Sequence, residues 1–294
     1  MMNSKVYGIA VIGLGTAGRV RVRDLLQYTT HKNILWCLKG FVSRRTLEIE
    51  GTQQLTEDEV FTRTDIDAVL VCTENELHEP QVRRGLESGK HVLCEFPLAL
   101  SSNVAREFFD LAEKKGVILH GENIGLINDY KERLGSCSTP WTHCDISLRG
   151  GYNGWVEDNK SGIPFVRSIS LVESACHLCG DVNAVGGALS KTESSFEAVA
   201  RLETSDKRTI TITVNRSKDF KGREKSITFQ LQDGSDFNLR TSKTPGAKPG
   251  LFMKDFYMFM EEVNSGQIDE GMKTRTIRAL ELAEDVHRFT EPKL

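Results

Sequence analysis

The 294-residue chain carries 38 basic and 41 acidic residues, a net charge of −3, with 39% hydrophobic and 27% charged residues. That balance argues against a nucleic-acid or membrane-surface partner, and no apolar run reaches the ~18 residues of a spanning helix. The length predicts about two domains and a sizeable core. Seven cysteines (Cys37, Cys72, Cys94, Cys137, Cys144, Cys176 and Cys179) are odd in number and irregular in spacing. They form no disulfide framework, and a reducing, cytoplasmic location is expected.

Val6–Leu14 is apolar but lacks a strong basic flank and runs straight into glycines, so it reads as a strand rather than a leader. Continuous apolar runs at Val6–Ile12, Leu35–Val42, Ala68–Cys72, His91–Phe96 and Val117–Leu119 predict strands buried on both faces, as in a parallel sheet. Helical patterns fill the intervals at Ala17–Tyr28, Pro80–Glu87 and Val104–Lys115, the last two stopping at Gly89 and Gly116. Strand–helix–strand repetition predicts a doubly wound sheet over residues 1–124.

The pattern changes after about residue 140, and residues 125–294 are expected to form a second, α+β domain. Phe196, Ala198, Ala200 and Leu202 alternate with Glu197, Val199, Arg201 and Glu203. After a turn at Thr204–Lys207, Ile210, Ile212 and Val214 resume the alternation, followed by Ile227, Phe229 and Leu231. Asp233-Gly234 marks a hairpin into Phe237 and Leu239. These segments predict a large, mostly antiparallel sheet with one face on a core. A Pro/Gly-rich loop at Lys243–Gly250 precedes two closing helices, about Phe252–Val263 and Lys273–Phe289, expected to pack back towards the first domain.

Gly13-Leu14-Gly15-Thr16-Ala17-Gly18 is a GxGxxG run between a strand and a helix, the context that makes it a dinucleotide-binding signature of a Rossmann-type domain. Gly13 allows the tight turn, Gly15 lets pyrophosphate approach the backbone, and Gly18 permits close packing. The helix amides, from Thr16 and Ala17 onward, meet the phosphate charge. The next long strand ends in Ser43-Arg44-Arg45, without the acid that holds ribose hydroxyls in NAD sites. Guanidiniums and a serine hydroxyl suit a 2′-phosphate instead, so NADPH is expected to bind better than NADH. Cys72-Thr73-Glu74-Asn75-Glu76-Leu77-His78 follows the third strand, at the end where α/β proteins bind ligands.

Together with Gly89-Lys90-His91-Val92-Leu93-Cys94-Glu95-Phe96-Pro97, these stretches resemble the NAD(P)-dependent oxidoreductase family named for glucose–fructose oxidoreductase and inositol dehydrogenase. The resemblance implies that Thr73, Glu74, Asn75 and His78 lie along the nicotinamide ribose, with Glu74 where proline is common. His78 also reads as a polar helix-start residue without a catalytic part. The resemblance also places Glu95 towards the nicotinamide and a cis peptide before Pro97. The family usually carries Glu-Lys-Pro, whose lysine handles the substrate proton, and Phe96 replaces that lysine here. A branch that reduces a linear tetrapyrrole with NADPH also lacks the lysine, and the chain is most similar to it at Gly40–Arg45, Gly89–Leu93 and Ala17–Leu25. This implies hydride delivery to a central methine carbon, Phe96 as a stacking wall, and Arg167 as a partner for substrate carboxylates or else an exposed loop residue. Gly125 and Leu171 stand where that branch has an acid and an arginine.

Two other readings stay open. In Glu173-Ser174-Ala175-Cys176-His177, the histidine could serve a polyol or carbonyl oxidoreductase as acid/base, or sit in a core or interface. A dinucleotide-binding regulatory protein without turnover is the third. Cys176–Cys179 has neither the second CxxC of a zinc site nor the histidine of haem attachment, so no metal is expected. Monomer and sheet-mediated dimer are both open.

Overall fold

The computed structural model describes residues 5–152, 159–239 and 249–291. In chain order its main elements are β1 (Val6–Ile12), α1 (Thr16–Gln27), β2 (Thr30–His31), β3 (Ile34–Val42), α2 (Glu57–Thr62), β4 (Ala68–Val71), α3 (Asn75–Glu87), β5 (His91–Cys94), α4 (Ser102–Lys115), β6 (Leu119–Gly121), α5 (Tyr130–Gly135), β7 (Trp141–Gly151), α6 (Pro164–Arg167), α7 (Ile169–Cys179), β8 (Val182–Lys191), β9 (Ser195–Thr204), β10 (Thr209–Ser217), β11 (Arg223–Leu231), β12 (Asp236–Leu239), α8 (Leu251–Ser265) and α9 (Glu270–Thr290). They form two compact units. One is Met1–Ile127 with Gly246–Thr274, and the other is Asn128–Pro245 with Arg275–Leu294. Residues 249–274, grouped by sequence with the second domain, thus cluster with the first. Of the expected loop at 243–250, residues 243–248 lie outside the described residues.

In the first unit the strand order is β2-β3-β1-β4-β5-β6. All pairings are parallel except that of the two-residue β2. The apolar runs are buried on both faces as their composition requires, with Ala68, Val69, Leu70 and Val71 all fully shielded. Helix α8 completes the core. Met253, Phe256, Phe259, Met260 and Val263 join the cluster around Ile9, Trp36 and Phe41, and Trp36 meets Phe256 edge-on at 5.1 Å.

Beside this apolar contact lies a buried ionic one. Arg21, 1% exposed, projects from α1 and donates from Nη2 to Asp255 Oδ2 of α8 at 2.6 Å and from Nη1 to the Phe252 carbonyl at 2.7 Å. Asp255 also accepts from the Asn123 amide (2.8 Å), and its Oδ1 lies 3.3 Å from His120 Nε2. The other ring nitrogen of His120 is 3.0 Å from Glu262 Oε1. Burial opposes charge on His120, but its bonds to the Asp255 and Glu262 carboxylates outweigh it and lift the pKa to about 9. Burial likewise opposes the Asp255 charge, yet His120, Arg21 and the Asn123 amide hold its pKa at about 2.

Two differences from the sequence reading have local causes. Helix α3 starts at Asn75, leaving Pro80 inside it rather than in its first turn. Buried His78 fixes the preceding turn, with Nδ1 2.7 Å from the Pro97 carbonyl and Nε2 3.1 Å from that of Thr73. Helix α2 was not expected, although Thr56 and Glu59 form a reciprocal capping box at its start.

The second unit holds a six-stranded sheet ordered β12-β11-β7-β10-β9-β8. Only β7 with β10 is parallel among its neighbouring pairs. Phe196, Ala198, Ala200, Leu202, Ile210, Ile212, Val214, Ile227 and Phe229 line the buried face as the alternation predicts. The opposite face is polar: Ser147 bonds Ser226 at 2.7 Å, and Thr228 bonds Asn238 at 2.7 Å. Strand β8 was missed because Gly186 and Gly187 interrupt its alternation, whereas β7 alternates through Cys144, Ile146 and Leu148 and was passed over. A Cβ on Gly187 would lie 2.6 Å from the Val286 carbonyl of α9, so that strand gives up side chains for helix contact. No described helix is long and apolar enough to cross a membrane.

Replacing Asp255 with alanine removes an acid that balances the buried Arg21 charge and is expected to cost about 3–5 kcal/mol in denaturant unfolding. The His120 contribution is complete below pH 6.5, its ordinary value, and is lost as pH rises through about 9. A pH series of melts on wild type and His120→Gln should show that alkaline loss in wild type only.

Candidate functional site

The order β3-β1-β4 places a topological switch at β1, and ligands of doubly wound sheets bind outside the carboxyl ends of such strands. The chain turns there at Gly13, whose φ is +92°. A side chain at Gly13 would also strike the Cys72 carbonyl at 2.7 Å. Gly18 is needed for a different contact: its Cβ would sit 1.9 Å from the Gly13 carbonyl, so the glycine lets α1 close onto the turn. At Gly15 nothing lies within 4 Å of an added Cβ. Gly15 is the N-cap of α1, no side chain caps the helix, and its first turn holds no acid. An open cradle at an uncapped helix start, framed by Thr16 and Ala17, fits the pyrophosphate of a dinucleotide.

The loop after β3 presents Ser43, Arg44 and Arg45, with both arginines exposed. Its backbone is braced by a residue that sequence reasoning missed. Gln54 donates to the Ser43 carbonyl at 2.8 Å and the Arg45 carbonyl at 3.1 Å, and accepts from the Leu47 amide at 2.9 Å. Ser43 Oγ accepts from the Arg45 amide at 3.2 Å. No motif marks Gln54, because its role follows from the pairing of residues 53–55 alongside Phe41.

The loop after β4 supplies Thr73, Glu74 and Asn75. Thr73 donates to Gln81 Oε1 at 2.6 Å, and Gln81 donates on to Glu57 at 2.7 Å. Glu74 is the N-cap of α3, yet its side chain caps nothing and instead pairs with Arg44. His78 is 1% exposed, with both ring nitrogens against carbonyls. Burial pushes its pKa down, opposed by those two carbonyls. His78 therefore ties the β4 loop to Pro97 and offers no face to a coenzyme, which corrects its expected place along the ribose.

Phe96 follows β5, half-buried, and the Phe96–Pro97 peptide is cis. Glu95 beside it was expected to reach the nicotinamide. Instead its Oε1 accepts from Arg21 Nε at 2.9 Å and Nη2 at 2.8 Å. Burial raises the Glu95 pKa while the Arg21 charge and hydrogen bond work against that rise. Its carboxylate is a counter-ion in the Arg21 cluster that positions the end of β5, and the catalytic expectation for it is corrected accordingly. A signal for this pair was present: Arg21 sits on the apolar face of α1 with Gly18, Val22 and Leu25, where a charge needs a partner.

The remaining expected residues belong to the second unit. Arg167 ends the short α6 and is buried, not an exposed loop residue. Leu171 is fully buried on α7 and serves the core. Glu173 is turned to Thr276 Oγ1, 3.4 Å away, and burial lifts its pKa to about 7 against the pull of Arg275, Thr276 and Lys225. His177 is half-buried on the same helix. Burial, then the charges of Arg275 and Lys131, push its pKa down. Among the described residues no cluster of histidine, cysteine and acid side chains suits a metal ion.

A family model described as an oxidoreductase family with an NAD-binding Rossmann fold matches residues 7–122. The chain is 30% identical to biliverdin reductase A of Mus musculus, over 98% of this chain and 97% of that protein. Among solved structures it is similar to the biliverdin reductase of Synechocystis sp. PCC 6803 in complex with biliverdin and NADP+. That match has a TM-score of 0.76 at 20% identity, covering 96% of this chain and 98% of the other. A 3-ketoreductase from Actinomadura kijaniata gives a TM-score of 0.79 at 19% identity over 98% of both chains. At such identities these two structures speak for the fold alone.

The glycines separate binding from stability. Gly15→Val should melt within about 2 °C of wild type, since the added side chain enters open space, but should lose coenzyme-induced thermal stabilisation. Gly18→Ala should lower the melting temperature by several degrees even without coenzyme, because the helix must move off the turn.

Proposed function

The chain belongs to the glucose–fructose oxidoreductase/inositol dehydrogenase (Gfo/Idh/MocA) family of NAD(P)-dependent oxidoreductases, and from that membership we propose that it reduces biliverdin to bilirubin with NADPH, a step of haem breakdown. The observation that carries the reading is Phe96. At the end of β5 a half-buried ring stands where the family's sugar-type chemistry needs a lysine. A hydrocarbon ring cannot take a proton from a polyol, but it can stack on a flat conjugated substrate. The full-length similarity to a mammalian biliverdin reductase supports the same choice.

When bound, the coenzyme supplies the hydride, and the protein supplies binding, orientation and exclusion of water. Gly13, Gly15 and the first amides of α1 hold the pyrophosphate. Ser43, Arg44 and Arg45 hold the 2′-phosphate, with Gln54 fixing their loop. A guanidinium clamps a phosphate that an acid in this loop would repel, which favours NADPH over NADH. Phe96 keeps the substrate plane against the reacting carbon, a matter of position rather than of proton transfer.

The proton bound for the pyrrole nitrogen has no donor at the end of β5. Phe96 has no hydroxyl, Glu95 is held by Arg21, and His78 is engaged by two carbonyls. Water is therefore the donor in this reading. Arg167 on α6 is the basic side chain this reading keeps for the substrate propionates, although it is buried. The polyol alternative is less well supported: it needs His177 as base, and the acid one turn before it, Glu173, is turned to Thr276. The polar outer face of the second sheet favours a monomer over a sheet-mediated dimer.

Mixing the protein with NADPH and biliverdin should convert the green absorption to yellow. No conversion, with coenzyme binding intact, would leave the regulatory reading in its place, and oxidation of a sugar panel with NADP+ would support the polyol reading. Phe96→Ala should lower kcat/KM for biliverdin by about three- to tenfold, the range of a lost aromatic contact, with little change in NADPH affinity. Arg44→Ala should weaken NADPH by roughly tenfold and leave NADH nearly unchanged.

A further inference from the structure

Strand β1 lies between β3 and β4 in the sheet. The ion pair between Arg44, after β3, and Glu74, after β4, therefore reaches past the carboxyl end of β1 and its glycine turn. Both partners are well exposed, with side chains 82% and 52% accessible. The loop backbone at Arg44 is fixed by Gln54, so only side chains need move to break the pair. Glu74 is also free of the usual duty of its position, since its side chain accepts no capping hydrogen bond from α3.

We propose that Glu74 is a coenzyme-selectivity residue, whose carboxylate competes with the coenzyme's 2′-phosphate for the Arg44 guanidinium. The inference rests on the assignment of Arg44 to that phosphate. A phosphate outbids a carboxylate for a guanidinium through its greater charge and its additional acceptor oxygens. Binding NADPH therefore exchanges one partner of Arg44 for another, and the net gain is reduced by the pair that is broken. A dinucleotide with a ribose hydroxyl makes no such demand and leaves Arg44 on Glu74. Glu74 thus weakens NADPH selectively and narrows the preference that Ser43, Arg44 and Arg45 create. An exposed pair is worth at most about 1 kcal/mol, which sets the scale at two- to fivefold in affinity.

The test is a double-mutant cycle of NADPH and NADH dissociation constants, measured by nucleotide fluorescence on wild type, Glu74→Gln, Arg44→Ala and the double variant. Glutamine keeps the size of the side chain and removes its charge, and with no cap to lose the helix start stays intact. Glu74→Gln should bind NADPH two- to fivefold more tightly and NADH as before. In the Arg44→Ala background the same change should have no effect on NADPH, and in the single variant the gain should shrink as salt is raised to 0.5 M. A Glu74→Gln variant that binds either coenzyme more weakly would make the pair a clasp over bound coenzyme and overturn the proposal. It is equally overturned by an unchanged NADPH constant, or by a gain that persists without Arg44. If Arg44→Ala leaves both constants unaltered, the assignment of Arg44 itself fails, and the proposal with it.

Discussion

A guanidinium sealed inside the first unit sets the terms for much of what surrounds it. Arg21 is almost wholly removed from water, and such a charge persists only where acids and carbonyls replace its hydration. The replacements come from distant parts of the chain: Glu95 after β5, Asp255 and the Phe252 carbonyl on α8. Asp255 in turn holds the Asn123 amide and His120. One cation thereby fixes the helix that opens at the glycine turn, the strand end that carries Phe96, and helix α8. The aromatic contact of Trp36 with Phe256 adds apolar burial beside it. The ionic cluster specifies registry, and the hydrocarbon contributes the larger share of the cohesion.

Much of the first unit was legible because a sheet buried on both faces writes itself as unbroken apolar runs. Residues 6–12 match β1 end for end, and the glycine spacing locates the turn and the helix after it. The roles of the three glycines could be read too, but their division of labour could not. Gly18 makes room for a carbonyl within the turn, a distance that exists only once the helix is in place. The capping box at Thr56 was visible and passed over. Gln54 and the Arg44–Glu74 pair were not visible, since both depend on which loops a parallel sheet brings side by side. Glu95 was read by family position, whereas burial beside Arg21 decides what its carboxylate does.

The second unit was legible in part, for a related reason. Strands β9 to β12 alternate because one face is wet and the other dry, and period two records that difference. Strand β8 loses the record where Gly186 and Gly187 occupy it, at a shift in register against β9. Helix α7 was hidden because its face is apolar over nearly its whole length: Ile169, Leu171, Val172 and Ala175 are all buried. Arg167, open to reading as an exposed loop residue, is likewise interior, which composition alone does not reveal.

Asp255 has a temporal aspect as well as a spatial one. Residues 1–127 contain every strand of the parallel sheet and one partner acid for Arg21, Glu95, but the second, Asp255, is encoded 128 positions beyond that stretch, after the whole second sheet. A nascent chain emerging from the ribosome would hold a nearly complete N-terminal layer in which Arg21 has Glu95 but lacks Asp255 and the Phe252 carbonyl until α8 is made. Contacts so far apart in sequence close slowly, and they link the birth of the coenzyme-binding layer to the synthesis of α8, beyond the whole second sheet.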